Sequence, residues 1–400
     1  MLETPLANRT VVVGRGPAGL TAAIALARAG IKTALVGRPA AKPDNRTTAL
    51  LAASVDVLER LGVWEQCAAQ AAPLEAIRIV DDTGRLWRAP EVTFEAHEIG
   101  RDAFGYNIEN VRLIETLERS ARSLSALEII EDEANEVAPG ADNVRATLQN
   151  GQVADAPLAI AADGRRSLCR ERAGISVEMH AYPQIALTLC FSHSRPHRNC
   201  STEFHTASGP FTVVPLPGDR SSLVWVTDPA AADRIAALDD EALAEELESR
   251  MHSILGKVTV ESGRGTFPLH LGRARRFAAN RVALIGEAAH VLPPIGAQGL
   301  NLGLRDAAAI AQIAAGALRR GQDMGGFNVM ARYDKERRVE IGSRTLAVDM
   351  LNRTLLSDFL PLQGARALGL YLLDRIGPLR RAVMRQGIAP TATRTERAGI

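Results

Sequence analysis

The sequence predicts an α/β protein: a parallel-sheet domain interleaved with an antiparallel β domain and followed by a C-terminal helical segment. Three observations predict it. Near the N-terminus a short apolar run, Thr10–Val13, ends in Gly14. A helix-like stretch, Pro17–Ala29, follows and stops at Gly30, and the chain resumes as the β-type run Lys32–Val36. That is a strand–turn–helix–strand unit of the length a parallel crossover requires. In the middle, residues 184–227 alternate in β fashion, with a hairpin of Phe211–Leu216 and Ser222–Thr227 around Pro217, Gly218 and Asp219. After Arg281–Ile285 the chain reads as mostly helical. The β-rich middle lies between the two outer segments, so the domains are expected to be discontinuous. Residues 1–75, 105–175 and 275–340 would form the first, 76–104 and 176–274 the second, and 341–400 the helical segment.

The remaining elements follow in order. Residues 47–70 read as helical with an interruption at Gly62, and 75–95 as strands around an Asp82–Gly84 turn. Asn110–Leu124 reads as helix, and Leu127–Gln149 as strands joined at Pro139–Gly140. Pro229–Leu255 has a helical pattern and Lys257–Phe267 returns to strand. Neither an internal repeat nor a low-complexity linker interrupts the chain.

Composition narrows the function classes. With 46% hydrophobic and 23% charged residues the chain fits an ordinary globular protein. A net charge of +1 argues against a general nucleic-acid binder, which needs a strong basic excess. Cys67, Cys169, Cys190 and Cys200 are not closely paired, which reads as reduced, cytoplasmic usage. No basic-then-apolar leader and no apolar run of roughly 20 residues are seen. The expected location is the cytoplasm, with peripheral attachment at the inner face of a membrane left open.

Gly14-Arg15-Gly16-Pro17-Ala18-Gly19 is a GxGxxG placed directly after a strand and opening a helix. Gly14 permits the tight turn, Gly16 lets backbone approach a pyrophosphate, and Gly19 allows close helix–strand packing. The helix N-terminus offers free N–H groups to phosphates. The unit is therefore Rossmann-like and nucleotide-binding. Such units carry an acid at the end of the second strand to hold a ribose; here Val36 is followed by Gly37 and Arg38, and the nearest acid is Asp44.

Two further motifs complete the pattern. Asp163-Gly164-Arg165 follows an apolar strand, and Gly286-Glu287-Ala-Ala-His290-Val-Leu-Pro293-Pro294 runs into Gly296-Ala297-Gln298-Gly299-Leu300-Asn301 and on to Arg305-Asp306. In order with the N-terminal loop, these resemble the aromatic-hydroxylase class of flavoprotein monooxygenases, and within it the ubiquinone-biosynthesis hydroxylases. The resemblance spans nearly the whole chain. Asn45-Arg46-Thr-Thr-Ala-Leu looks like that family's arginine segment, and Gln298 to Asp306 like its most specific stretch.

The resemblance implies an FAD-binding domain, a phenolic substrate of hydrophobic, ubiquinone-pathway type, and O2 as oxidant. NAD(P)H would be a transiently bound co-substrate, because no second GxGxxG is present. One oxygen would pass to the ring through a flavin C4a-hydroperoxide. Expected cofactor contacts are Gly14, Gly16, Gly19, Gly286, Glu287, Gly299, Leu300 and Asn301, with Asp163 and Gly164 shared between flavin and nicotinamide. Arg46 and Arg112 are expected at flavin phosphate or ring. His290 and Pro294 are candidates for flavin-facing positions, His290 for positioning more than for proton transfer. Physically, the Glu287 carboxylate suits flavin hydroxyls. Gly296 and Gly299 let backbone approach a flat ring, and the helix from Leu300 directs N–H groups at the pyrimidine edge, where charge develops on reduction. Three positions depart from the family: Gly37, Glu287 for the usual Asp, and Ala297 for the usual Gly. One alternative is a flavin dehydrogenase or reductase on a related fold without oxygen insertion; the departures keep open a second, a non-catalytic flavin-binding or assembly subunit of a biosynthetic complex.

Other constellations weigh less. His193, His197, Cys200 and His205 lack a CxxC or HExxH pattern and are expected in an exposed loop, with no metal. Of Phe204, Phe211, Trp225 and Phe267, at least two are expected in a sheet core. Residues 361–400 carry seven arginines and two acids, a net +5 against −4 for the rest, with leucines interspersed. That pattern suits packing of the leucines on the first domain, or attachment to an anionic membrane or a partner complex there.

Overall fold

The computed structural model describes residues 6–7, 10–39, 46–84, 89–294, 296–356, 369, 371–372 and 375–388. Thr10–Val13 has all four residues buried, as expected of an apolar run with no polar alternation. It pairs in parallel with Thr33–Val36 on one side and Leu158–Ala161 on the other. Leu127–Ile130, Val282–Leu284 and Ala278–Ala279 extend this to six strands. The helix Pro17–Arg28 crosses over it, with proline in its first turn and Ala22, Ala23, Ile24 and Leu26 in the core. A smaller sheet of Leu6–Ala7, Val153–Ala156, Val144–Leu148 and Ala134–Pro139 lies at 6–7 and 134–156.

The second large sheet runs, in spatial order, His290–Val291, Gly265–Ala274, Val177–His193, Arg220–Thr227, Gly209–Leu216, Cys200–Thr206, Ala76–Asp81 and Val92–Glu95; Val258–Val260 pairs beside it. It is mostly antiparallel, with Cys200–Thr206 parallel to Ala76–Asp81. Its outer face packs Leu187, Phe191, Phe204, Phe211 and Trp225 under Ile235, Leu243 and Leu247 of two helices, Pro229–Ala236 and Asp240–Arg250, and under Met251, which caps the second.

Three expectations are corrected. Residues 47–51, read as helical, form a strand paired antiparallel with Gly105–Glu109, and Ala71–Pro73 pairs on that strand's other side. The pairing is long-range, which local pattern does not report. Helix resumes at Ala52–Arg60 and Trp64–Ala68 around Gly62, whose φ is +59°. The stretch 229–255 is two helices because each has its own N-cap: Asp228 accepts from the Ala231 N–H at 2.9 Å and Asp239 from that of Ala242 at 2.8 Å. His193 and His205 are buried strand residues, not exposed loop.

Beyond the sheets lie the helices Gln298–Arg319, Phe327–Leu356 and Gly377–Ile388. Among the described residues no helix is long and apolar enough to cross a membrane.

Candidate cofactor and substrate site

The phosphate loop is built on close approach. A Cβ on Gly14 (φ +113°) would sit 2.1 Å from the Ala162 carbonyl oxygen, and one on Gly19 would sit 1.9 Å from that of Gly14. Gly16 differs: a Cβ there would meet no atom within 4 Å. It caps the first helix in extended conformation, leaving bare backbone beside the helix N-terminus.

Arg15 accounts for the first departure. Its side chain is 1% exposed and held by Glu118 at 2.9 Å and Glu131 at 3.0 Å. A Cβ on Gly37 would lie 2.7 Å from Arg15 Cβ, so an acid has no room at the end of that strand. Asp44 lies outside the described residues.

Two distant segments close on this loop. A Cβ on Gly303 would be 3.2 Å from Gly286 Cα and 3.4 Å from Ala18 Cβ, and one on Gly286 would be 3.3 Å from Ala18 Cβ. The Gly286–Ala288 turn, the start of the helix Gln298–Arg319 and the start of the first helix therefore touch. Glu287 stands exposed in that turn. Pro293 is buried and Pro294 exposed. Ala297 caps the long helix at φ +52°, ψ +33°. Left-handed geometry costs a non-glycine residue about 1–2 kcal/mol, which explains the family's glycine there. A Cβ on Gly299 would meet nothing within 4 Å; Leu300 is half-buried against the core.

Several expected contact residues are engaged by the chain itself. Asn301 accepts from the Leu51 N–H at 2.8 Å and donates to the carbonyls of Ala49 at 2.8 Å and Ala297 at 2.5 Å. It clamps the strand Thr47–Leu51 to the helix N-terminus. Asp163 accepts from Ser167 Oγ at 2.5 Å and the Cys169 N–H at 3.0 Å, while Gly164 takes φ +79°. Arg46 stacks over the Phe267 ring at 5.0 Å. Arg112 is exposed and pairs with Glu115 at 3.2 Å.

His290 is buried beneath the loop. Its Nε2 lies 2.7 Å from Asp306 Oδ2, which also accepts from the Gly286 N–H at 3.0 Å. Arg337 Nε donates to Asp306 Oδ1 at 2.7 Å, and Arg337 and Arg305 both pair with Glu340. Burial pushes the Asp306 carboxyl up, but Arg337, His290 and the Gly286 N–H outweigh it and hold it below its ordinary value. Asp306 and Arg337 carried no assigned role in the sequence; the one signal was Asp306's place at the end of the Gln298–Asp306 stretch.

The histidine group is likewise committed. His193 bonds the Arg195 carbonyl and Ser221 Oγ, and His197 Nε2 bonds the carbonyls of Leu216 and Gly218. Phe204, Phe211 and Trp225 belong to the outer core; Phe267 is 38% exposed. The inner face of the large sheet turns toward the cofactor loops. There the Thr47 hydroxyl donates to Ser222 Oγ at 2.8 Å, and Asn107 Nδ2 donates to the Pro215 carbonyl at 2.9 Å.

These residues fit FAD. Bare backbone at Gly16 and Gly299, each at a helix N-terminus, suits a pyrophosphate and a flat ring, and the exposed Glu287 carboxylate suits hydroxyl groups.

Comparison with known proteins agrees. The family described as FAD binding domain matches residues 8–344. Ubiquinone hydroxylase UbiL of Rhodospirillum rubrum is 35% identical, over 94% of this chain and 89% of that protein. The 3-demethoxyubiquinol 3-hydroxylase of Escherichia coli is 29% identical, over 94% and 97%. Among solved structures, p-nitrophenol 4-monooxygenase PnpA of Pseudomonas putida superposes with a TM-score of 0.77 at 19% identity, over 96% and 99%.

Proposed function

This chain belongs to the FAD-binding domain family, and we propose that, as a flavoprotein monooxygenase, it hydroxylates the phenolic ring of a hydrophobic ubiquinone-pathway intermediate. NAD(P)H would supply the electrons and O2 the oxygen atom. The observation that carries the reading is the meeting of three segments, each through a glycine, at two helix N-termini, beside the inner face of a large sheet.

FAD supplies the redox and oxygen chemistry when bound. The protein's part is binding, orientation and exclusion of water. Backbone N–H groups near Gly16 would receive the pyrophosphate, and Glu287 would accept from cofactor hydroxyls. The N-terminus of Gln298–Arg319 would favour negative charge on the ring. Asp306 holds the Gly286 N–H and His290, and so sets the shape of the loop between them. No protein nucleophile is required.

We also propose that the C-terminal segment attaches the enzyme peripherally to an anionic membrane surface, where a lipid-like phenol would be met. Its excess of arginine supports this.

The test is direct. Purified protein should show flavin absorbance. NAD(P)H oxidation should consume O2 and yield a phenol heavier by one oxygen. NAD(P)H oxidation without oxygen insertion, in the presence of alkyl and polyprenyl phenols, would reduce the protein to a flavin reductase. Faster and better-coupled turnover of small aromatic acids would remove the lipid-like substrate.

A further inference from the structure

On the outer face of the large sheet Leu187, Trp225, Phe211 and Phe204 are paired in register under two helices. Successive strand residues point to opposite faces. The next paired row, Thr188–Val224–Thr212–Glu203, therefore lies on the inner face. This is the face whose Ser222 meets Thr47 and Asn107, and whose Phe267 lies under Arg46. On one side Cys190, Ser222 and Val214 are buried; on the other Ala186 and Val226 are buried, and Phe267, paired with Ala186, is 38% exposed. All four residues of the row between them are partly accessible. A strip accessible across four strands between mostly buried neighbours can seat a flat ring as a shallow trough.

We propose that the substrate ring lies along this row, and that Glu203 accepts a hydrogen bond from the ring hydroxyl. The inference rests on the hydroxylase reading and adds to it the residue that selects the substrate. Val224 gives the trough an apolar centre and Thr188 a hydroxyl. Glu203 lies at one end, its Oε1 2.7 Å from His205 Nε2 and its Oε2 3.3 Å from Thr212 Oγ1. A carboxylate has about four lone-pair sites, so two contacts leave it able to accept more. His205 is 4% exposed, and its Nδ1 has no partner, so the pair is not a solvated surface contact. Burial opposes charge on Glu203, yet His205 and Thr212 hold its carboxyl below the ordinary value. A carboxylate in an apolar trough offers only acceptors, so it favours a hydrogen-bond donor and sets acceptors against the acceptors of an incoming carboxylate. The site therefore admits neutral phenols and excludes aromatic acids.

The experiment uses FAD-loaded protein and equilibrium binding, read by perturbation of flavin absorbance, with para-hexylphenol, its methyl ether and para-hexylbenzoate. Wild type should prefer the phenol over the ether by about tenfold or more, as a lost charged hydrogen bond implies. Glu203→Ala should erase that preference while flavin content and melting temperature stay near wild type. Glu203→Gln keeps an acceptor and removes the charge; it should retain most phenol affinity and admit the benzoate. A folded, flavin-loaded Glu203→Ala that keeps the preference overturns the proposal. So does a Glu203→Gln that still rejects the benzoate, and this second variant decides the matter if the alanine protein does not fold. Turnover of the phenol by wild type, measured alongside, separates the two readings: hydroxylation with an unchanged preference in the variants sinks only the role of Glu203.

Discussion

Asp306 has no solvent exposure and still carries charge, because Arg337, His290 and the Gly286 N–H converge on its two oxygens. Removing it would leave the buried Arg337 with Glu340 alone and strip the Gly286 N–H and His290 of their partner, and breaking a buried network of this kind costs about 3–5 kcal/mol. Asp306→Ala should lower unfolding stability by that amount in denaturant titrations at neutral pH and release flavin with it. The sign with pH follows from the depressed folded value. The stabilisation is present throughout the range above the ordinary carboxylate value and is lost as pH falls through the folded value. Gly16 and Glu287 should behave differently. Gly16→Val should abolish FAD binding, and Glu287→Ala should weaken it by about 1–3 kcal/mol, both with little change in the melting temperature of the flavin-free protein. Wild-type flavin occupancy in both folded variants would remove these residues from the cofactor site. The glycines were legible in the sequence because their spacing is local. Asp163 and Asn301 were legible only as motif members. Asn301 is bound to residues about 250 positions away, and no spacing rule reports that.

At the scale of elements, the strand Thr47–Leu51 shows where local pattern misleads. Nothing within 47–51 distinguishes a short strand from the start of the helix that follows. Its state is decided by pairing with Gly105–Glu109 and by the Asn301 carboxamide, which takes the Leu51 N–H and the Ala49 carbonyl. The parallel sheet was legible for the opposite reason: Thr10–Val13 and Thr33–Val36 are continuous apolar runs flanking one helix, and a single topology joins them. If Asn301 is the clamp, Asn301→Ala should leave buried backbone groups unsatisfied at about 1–3 kcal/mol. Amide exchange should rise at Leu51 and its neighbours, with little change in Thr10–Val13. Uniform protection across both strands would show that strand pairing alone holds residues 47–51 and that the carboxamide is incidental.

For the whole molecule the unequal distribution of charge matters most. Residues 361–400 carry +5 and the remainder −4, yet the C-terminal arginines are not all alike. On the helix Gly377–Ile388, Arg380 pairs with Glu98 at 2.6 Å and lies over Phe94 at 4.7 Å, and Met384 is buried beside Val92, Phe94 and Phe104. One face is thus packed against the body of the protein, as the leucine pattern allowed, although Leu368, Leu370 and Leu373 lie outside the described residues. On another side Ile376, just before the helix, and Leu379 and Val383 on it are each 42–44% exposed, at the spacing of one helical stripe, and Arg375, Arg381 and Arg385 are exposed with them. A docked helix with an outward apolar stripe among arginines has the composition of an interfacial anchor, at about 1 kcal/mol per basic residue near an anionic surface. Truncation after Gly364 would also strip the packed face and expose Phe94, so substitution is the cleaner probe. The full chain should co-sediment with phosphatidylserine-containing vesicles at low ionic strength and be released by salt, as screening requires. The triple variant Ile376→Ser, Leu379→Ser, Val383→Ser should bind about tenfold or more weakly, because apolar burial is lost while the charge and the Arg380–Glu98 contact remain. Equal binding by wild type and variant, or no salt-sensitive binding by wild type, would confine this helix to packing and leave the substrate to be delivered by other means.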